Sequence, residues 1–329
     1  MAGTATPNFT VRGVHINQAL TQLTVAYRPM GMVAEQIFPV VKVAHEADDY
    51  YFWDKGQRFR LERTDGYGTL RADGAKARQV DFGATIKSYS AEEFALGTFV
   101  TDRQRANADT ALQIEISKVT ATQDLILLDQ ELRIASIITN TANNSSSTTL
   151  SGANQWNNSS FTSQPSTGPY FSTIQYNLNT GMEAIRLATG GLYPNVIVIP
   201  RPVAMVMARD LGLADYIKYT HSDLLVSSLL PPTLWDMKVI IPGAVYQTSV
   251  EGEATSLSDV YGKNVWMGYV NPNPGINSLT YGAIFRSRDW QVKQWRDESV
   301  DTTYYQASMV QDEQLIAPDC GYLIKNAIA

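Results

Sequence analysis

The chain has 329 residues, enough for two domain-sized cores. Hydrophobic residues make up 44%, ordinary for a globular protein, but charged residues only 18%, against roughly 25% in a typical soluble domain. No stretch approaches the ~20 apolar residues of a spanning helix, and Met1 to Thr10 lacks the layout of a signal peptide. Cys320 as the single cysteine excludes a disulfide framework, and a net charge of -6 argues against a general nucleic-acid coat.

Residues 1–45 show little periodicity, Arg28-Pro29-Met30-Gly31 breaks any helix, and the segment reads as an arm. Over 46–95, the aromatic run Tyr50-Tyr51-Phe52-Trp53 is strand-like. Val80, Phe82, Ala84 and Ile86 then alternate with polar residues at period two, which predicts one apolar face. Asp65-Gly66 and Asp73-Gly74 are turn formers between them. The whole predicts a long β-hairpin whose arms of ~12 residues reach ~40 Å at about 3.3 Å per residue. A two-stranded ribbon is marginal in water, so this one needs a surface to lie on. Its charges are dense and sign-balanced: Arg58, Arg60, Arg63, Arg71, Lys76 and Arg78 against Asp54, Glu62, Asp65, Asp73 and Asp81. Mixed signs on a ribbon suit salt bridges to neighbouring copies.

A long helix is predicted over 109–139, with Asp109 as N-cap and a stripe of Leu112, Ile116, Val119, Ile126, Leu127, Ile134 and Ile137. From Ile134 to Met182 there is no charged residue, and 26 of those 49 residues are Ser, Thr or Asn. Such composition reads as a flexible polar loop, with Trp156 and Phe161 as aromatic anchors. A second helix is expected over 173–189, stopped by Gly190-Gly191. A strand at 195–199, a helix opened by Pro200 and strands at 237–242, 264–270, 279–286, 290–295, 304–310 and 322–328 follow. The pattern is α+β with segregated elements.

Common catalytic constellations are missing. His15, His45 and His221 lie far apart, with no zinc spacing. Gly66-Tyr67-Gly68 lacks the third glycine of a dinucleotide loop, no phosphate loop occurs, and no nucleophile elbow is present. Cys320 has no local basic partner and reads as structural. The adjacent pairs Asp48-Asp49 and Glu92-Glu93 face opposite ways in a strand. No catalytic, cofactor-binding or metal-binding residue is assigned, no cofactor is expected, and the chain reads as a non-enzyme.

The order of elements resembles the major capsid proteins of tailed phages, with the Hong Kong 97-like capsid fold. The stretches carrying the resemblance are Arg105 to Asp109, Thr149 to Trp156, Pro194 to Pro200, Ile217 to Thr220, Lys238 to Tyr246 and Pro318 to Asn326. It implies an N-terminal arm (1–45), an extended E-loop hairpin (46–95), a peripheral (P) domain (96–194 and 271–314) with a spine helix near 109–139, and an axial (A) domain (195–270 and 315–329). It implies a shell subunit that self-assembles into hexamers and pentamers of an icosahedral head around double-stranded DNA, without sequence-specific binding. The hairpin residues Arg58, Arg60, Glu62, Arg63, Asp65, Arg71, Lys76 and Arg78 would make the inter-subunit contacts. Implied partners are many copies of itself, a separate scaffolding protein, a portal and a decoration protein, with no membrane. The implied location is the virion, after assembly in the host cytoplasm.

An encapsulin-like nanocompartment is a variant on the same fold. The alternative from a different class is a carbohydrate-binding module or hydrolase, motivated by Trp156, Trp235, Trp266, Trp290 and Trp295, since sugars stack on aromatic faces. Core packing is the plainer explanation of those tryptophans.

Overall fold

The computed structural model describes residues 30–53, 55–59, 69–77, 79, 82–108, 114–158, 173–210, 230–275 and 278–329. Its α+β order follows the sequence expectation, and ten of the fourteen described strands belong to two sheets.

The first sheet is built on two long antiparallel strands, which we label by position in the chain: β12 (Gly282–Asp297) and β13 (Thr302–Leu315). β4 (Glu92–Thr101) adds to the far side of β13, and the short β1 (Val40–Lys42) runs parallel to β12. The sequence predicts two strands at 279–286 and 290–295; the structure joins them into one. The pairing passes through irregularities between Arg286 and Gln291, so the break in periodicity marks a register shift rather than a turn.

Helix α4 (Ile114–Ile138) lies on this sheet through Ile126, Ala307 and Met309. Residues 109–113, with the expected cap Asp109, lie outside the described residues. Its buried side differs from the expected stripe. Thr122, Asp124, Gln130 and Glu131 are buried beside Ile126, Ile134, Ala135 and Ile138, while Ile116 is 63% and Leu125 52% exposed. Helix rotation is set by what the rest of the fold offers, here hydrogen-bond donors for Glu131, and not by apolar spacing alone.

The second sheet has six strands in the order β5-β14-β11-β6-β8-β7: β5 (Ser146–Thr149), β14 (Gly321–Lys325), β11 (Val265–Gly268), β6 (Val196–Val198), β8 (Met237–Ile240) and β7 (Thr233–Leu234). Helices α5 (Thr173–Thr189) and α6 (Arg201–Met207) cover it with Leu178, Ile185, Val203 and Met207. Gly181 lets α5 approach closely, since a Cβ there would lie 2.7 Å from the Tyr322 ring. Gly190, at φ 77°, ends the helix as its composition predicts.

The uncharged tract is not a loose loop over its described length. Residues 146–149 are the edge strand β5, parallel to β14, and its asparagines take over backbone duties. Asn144 is 6% exposed. Its amide donates to the Ile138 carbonyl at 3.1 Å and the Asn140 carbonyl at 2.9 Å, and its oxygen accepts from Trp266 Nε1 at 3.1 Å. Composition misleads here because Asn, Ser and Thr satisfy helix ends and strand edges as readily as they solvate loops.

The described part of the expected arm is built into the body. Ala34 and Ile37 of helix α1 (Ala34–Ile37) and the adjoining Phe38 are buried, and a side chain on Gly282 would run into the Phe38 ring.

Candidate assembly interface

The hairpin pairs β2 (Ala47–Trp53) with β3 (Ala84–Ser90) over seven residues each. The paired arms are therefore shorter than the ~12 residues expected from pattern. Helix α2 (Lys55–Phe59) follows β2 directly, and the aromatic run gives way to it because Lys55-Gly56-Gln57 carries no strand preference.

Register assigns two faces. Tyr50, Phe52, Lys87 and Tyr89 share one; Tyr51, Trp53, Ala84 and Ile86 share the other. The first face turns onto the chain's own body. Tyr89 stacks on Phe285 with ring centroids 4.6 Å apart at 14°, and Tyr50 meets the same ring at 5.7 Å. Lys87 Nζ donates to the Ile316 carbonyl at 3.3 Å and sits 4.5 Å from the centre of the Phe52 ring. The Ser90 amide donates to Asp312 Oδ2 at 3.0 Å. Burial raises the hydroxyl pKa of both Tyr89 and Tyr50, with the carboxylates of Asp48 and Asp312 as secondary causes. The second face is open: Tyr51 is 70% exposed and Ile86 58%. The alternation at 82–86 thus places its apolar set outward, because the aromatic contacts with Phe285 decide which side faces in.

Farther out, Lys55 Nζ pairs with Asp319 Oδ2 at 2.8 Å. Between this pair and the Phe285 contacts lies a cavity of about 660 Å³ lined by Tyr50, Phe52, Leu279, Phe285 and Ile316.

The residues expected to contact neighbours are only partly in view. Arg71 and Lys76 are exposed in a segment without helix or strand. Arg60, Glu62, Arg63, Asp65 and Arg78, the side chain of Arg58, and the loop aromatic Phe161 lie outside the described residues. Trp156 is 1% exposed within the core of the six-stranded sheet, and its amide donates to the Ala327 carbonyl at 2.8 Å.

Sequence reasoning missed Glu131. This carboxylate is 0% exposed and accepts from the amides of Val33 (3.0 Å) and Ala34 (2.8 Å) and from the Tyr261 hydroxyl (2.6 Å). Burial raises its pKa, and these hydrogen bonds oppose the rise. Its only sequence signal was a charge on the edge of an apolar stripe. At the surface, Asp102 receives a bidentate contact from Arg296 at 2.9 and 2.7 Å, which holds its carboxyl below the usual range.

Little of this suits catalysis. Among the described residues no three His, Cys, Asp or Glu side chains gather as metal ligands, and no helix is long and apolar enough to cross a membrane. His15 and His221 lie outside the described residues. The Cys320 thiol is buried and pushed up to about 12, chiefly by burial, so it is a poor nucleophile.

No family model matches the chain. Over 322 residues it is 25% identical to the major capsid protein of Pseudomonas phage JBD67, covering 95% of this chain and 97% of that one. It is 23% identical over 314 residues to the major capsid protein of Burkholderia phage BcepMu, covering 94% and 95%. The chain is similar over nearly its whole length to phage major capsid proteins. Its fold is shared with the capsid structure of cyanophage P-SCSP1u, at a TM-score of 0.64, 9% identity and coverage of 95% and 93%. The carbohydrate alternative has no support: Trp156 and Trp266 are each 1% exposed, and one face of the half-exposed Trp295 is taken by the Tyr304 ring stacked on it at 5.6 Å.

Proposed function

We propose that this subunit builds the hexamers and pentamers of an icosahedral head that encloses double-stranded DNA without reading its sequence. The observation that carries the reading is the near end-to-end match to two phage major capsid proteins. The hairpin is the E-loop, α4 the spine helix, the long sheet with α4 the peripheral domain, and strands β6, β7, β8 and β11 the heart of the axial domain. The outward hairpin face and the charges beyond it, Arg71 and Lys76 included, reach the neighbouring copy. Heterologous contacts of this kind close into rings, and each obligate interface buries on the order of 2,000 Å² or more.

The role is structural rather than enzymatic. Assembly takes place in the host cytoplasm, with a separate scaffolding protein, a portal and a decoration protein as further partners. Expression of the chain with its neighbouring head genes, followed by negative-stain microscopy and nuclease digestion, tests the reading. Closed particles tens of nanometres across with nuclease-protected DNA are expected; a small monodisperse species under all conditions would sink it.

A further inference from the structure

The hairpin is attached to its own body at two places of opposite character. Its root is buried: Tyr89 is 6% and Phe285 9% exposed, and the two rings are stacked. Its outer attachment is exposed: the side chains of Lys55 and Asp319 keep 46% and 36% of their surface in solvent. Beside it, the Phe59 ring sits where Gly190 has no side chain, and a methyl group on Gly190 would run into that ring. The space between the attachments is the cavity of about 660 Å³, which opens to solvent, so the hairpin is not packed onto its body there. A fixed root, an exposed outer tie and unfilled space beneath describe a flap that can swing.

We propose that Lys55 and Asp319, with Phe59 seated on Gly190, form a releasable latch that sets the angle of the hairpin on its own body. An exposed ion pair shifts a closed-to-open equilibrium by only about two- to fivefold. It is therefore strong enough to bias the free chain and weak enough to be displaced by contact with a second copy. One sequence that fills both five- and six-membered rings must meet neighbours at more than one angle, and a latch of this strength permits it. That purpose rests on the shell reading; the latch itself does not.

The test uses the unassembled full chain, with chymotrypsin cleavage at the aromatic run Tyr50 to Trp53 under native conditions as the probe. Lys55→Glu and Asp319→Lys are each expected to speed cleavage about five- to tenfold. The double reversal K55E/D319K should return to within about twofold of wild type, and about 1 M salt should speed wild-type cleavage roughly threefold. Single variants cleaved at the wild-type rate, or a double reversal as fast as the singles, would overturn the proposal. If a reversal variant loses its fold by circular dichroism, Lys55→Gln and Asp319→Asn carry the same test. Each should accelerate cleavage about two- to fivefold, and the pair no more than either alone; multiplied effects would count against the latch. Failure of the wild-type chain to form particles would speak against the shell reading, while cleavage of the free chain still decides the latch.

Discussion

The Tyr261 hydroxyl donates to Glu131 Oε1 at 2.6 Å, in the interior between helix α4 and the turn that follows residues 257–259. The same carboxylate receives the Val33 and Ala34 amides, so one side chain ties three distant parts of the chain together. No cation shares the site through any of these contacts. Glu131→Ala strands three buried donors and should cost about 3 kcal/mol or more. Glu131→Gln keeps an acceptor for the amides and can donate to Tyr261, so about 1 kcal/mol is expected.

The same site gives a pH dependence with a definite sign. Burial raises the folded-state pKa of Glu131 above its ordinary 4.5, so the folded chain holds this proton more tightly than the unfolded chain. Its contribution is complete below the ordinary carboxylate range and is lost as pH rises through the folded value. Urea midpoints of wild type and Glu131→Gln, measured from about pH 4 to pH 8, should show wild type losing ground to the variant as pH rises. A constant difference, or one that grows in favour of wild type, would contradict this.

Gly31 and Gly243 make an asymmetric pair. Gly31 has φ 75°, and a Cβ there would lie 2.7 Å from the Gly243 Cα. A Cβ on Gly243 would lie 3.6 Å from the Gly31 Cα, an ordinary contact. Gly31→Ala is therefore expected to cost about 2–3 kcal/mol, combining the left-handed backbone with a clash against main chain that has no rotamer to yield. Gly243→Ala should stay within about 0.5 kcal/mol. Thermal melts of the two variants check the contrast, and equal shifts would refute it.

Trp156 is 1% exposed, and its Nε1 is buried with no hydrogen-bond partner among the described residues. Trp156→Ala should cost about 3–5 kcal/mol through the cavity it leaves. Trp156→Phe also removes the unsatisfied N–H and should cost only about 1–2 kcal/mol. Chemical denaturation that gives the two variants similar losses would mean the ring volume is not what stabilises this site.

How far the sequence could be read depended on whether a signal was local. Helix α5 was legible because its apolar spacing lies within it and the Gly190 stop directly follows it. Strand β5 was not, since Ser-Ser-Thr-Thr becomes a strand only when residues 321–325 lie alongside. The buried side of α4 was misjudged because Glu131 is satisfied by donors 97 to 130 residues away. For the hairpin, alternation showed two faces but not which one turns inward. That choice was made by Phe285, almost 200 residues downstream of Tyr89 by sequence number. The ionic pattern was readable as density and balance of charge, yet the exposed Tyr51 and Ile86 were hidden inside an ordinary strand signal.

That outward face and the charged segment beyond it make separable predictions for assembly. Tyr51 and Ile86 lie directly opposite each other and are 70% and 58% exposed, so the free chain should tolerate Tyr51→Ser with Ile86→Ser at a cost within about 0.5 kcal/mol. Particle yield, by contrast, should fall about tenfold at every salt concentration, because apolar burial is not screened. Arg71→Ala with Lys76→Ala should lower yield at low salt and converge on wild type near about 0.5 M, where exposed charges are screened over a few ångströms. Sedimentation of assembly reactions across a salt series distinguishes the two. A Tyr51/Ile86 variant that assembles like wild type while remaining folded would remove the apolar face from the contact. Salt-independent behaviour of the Arg71/Lys76 variant would remove the ionic one.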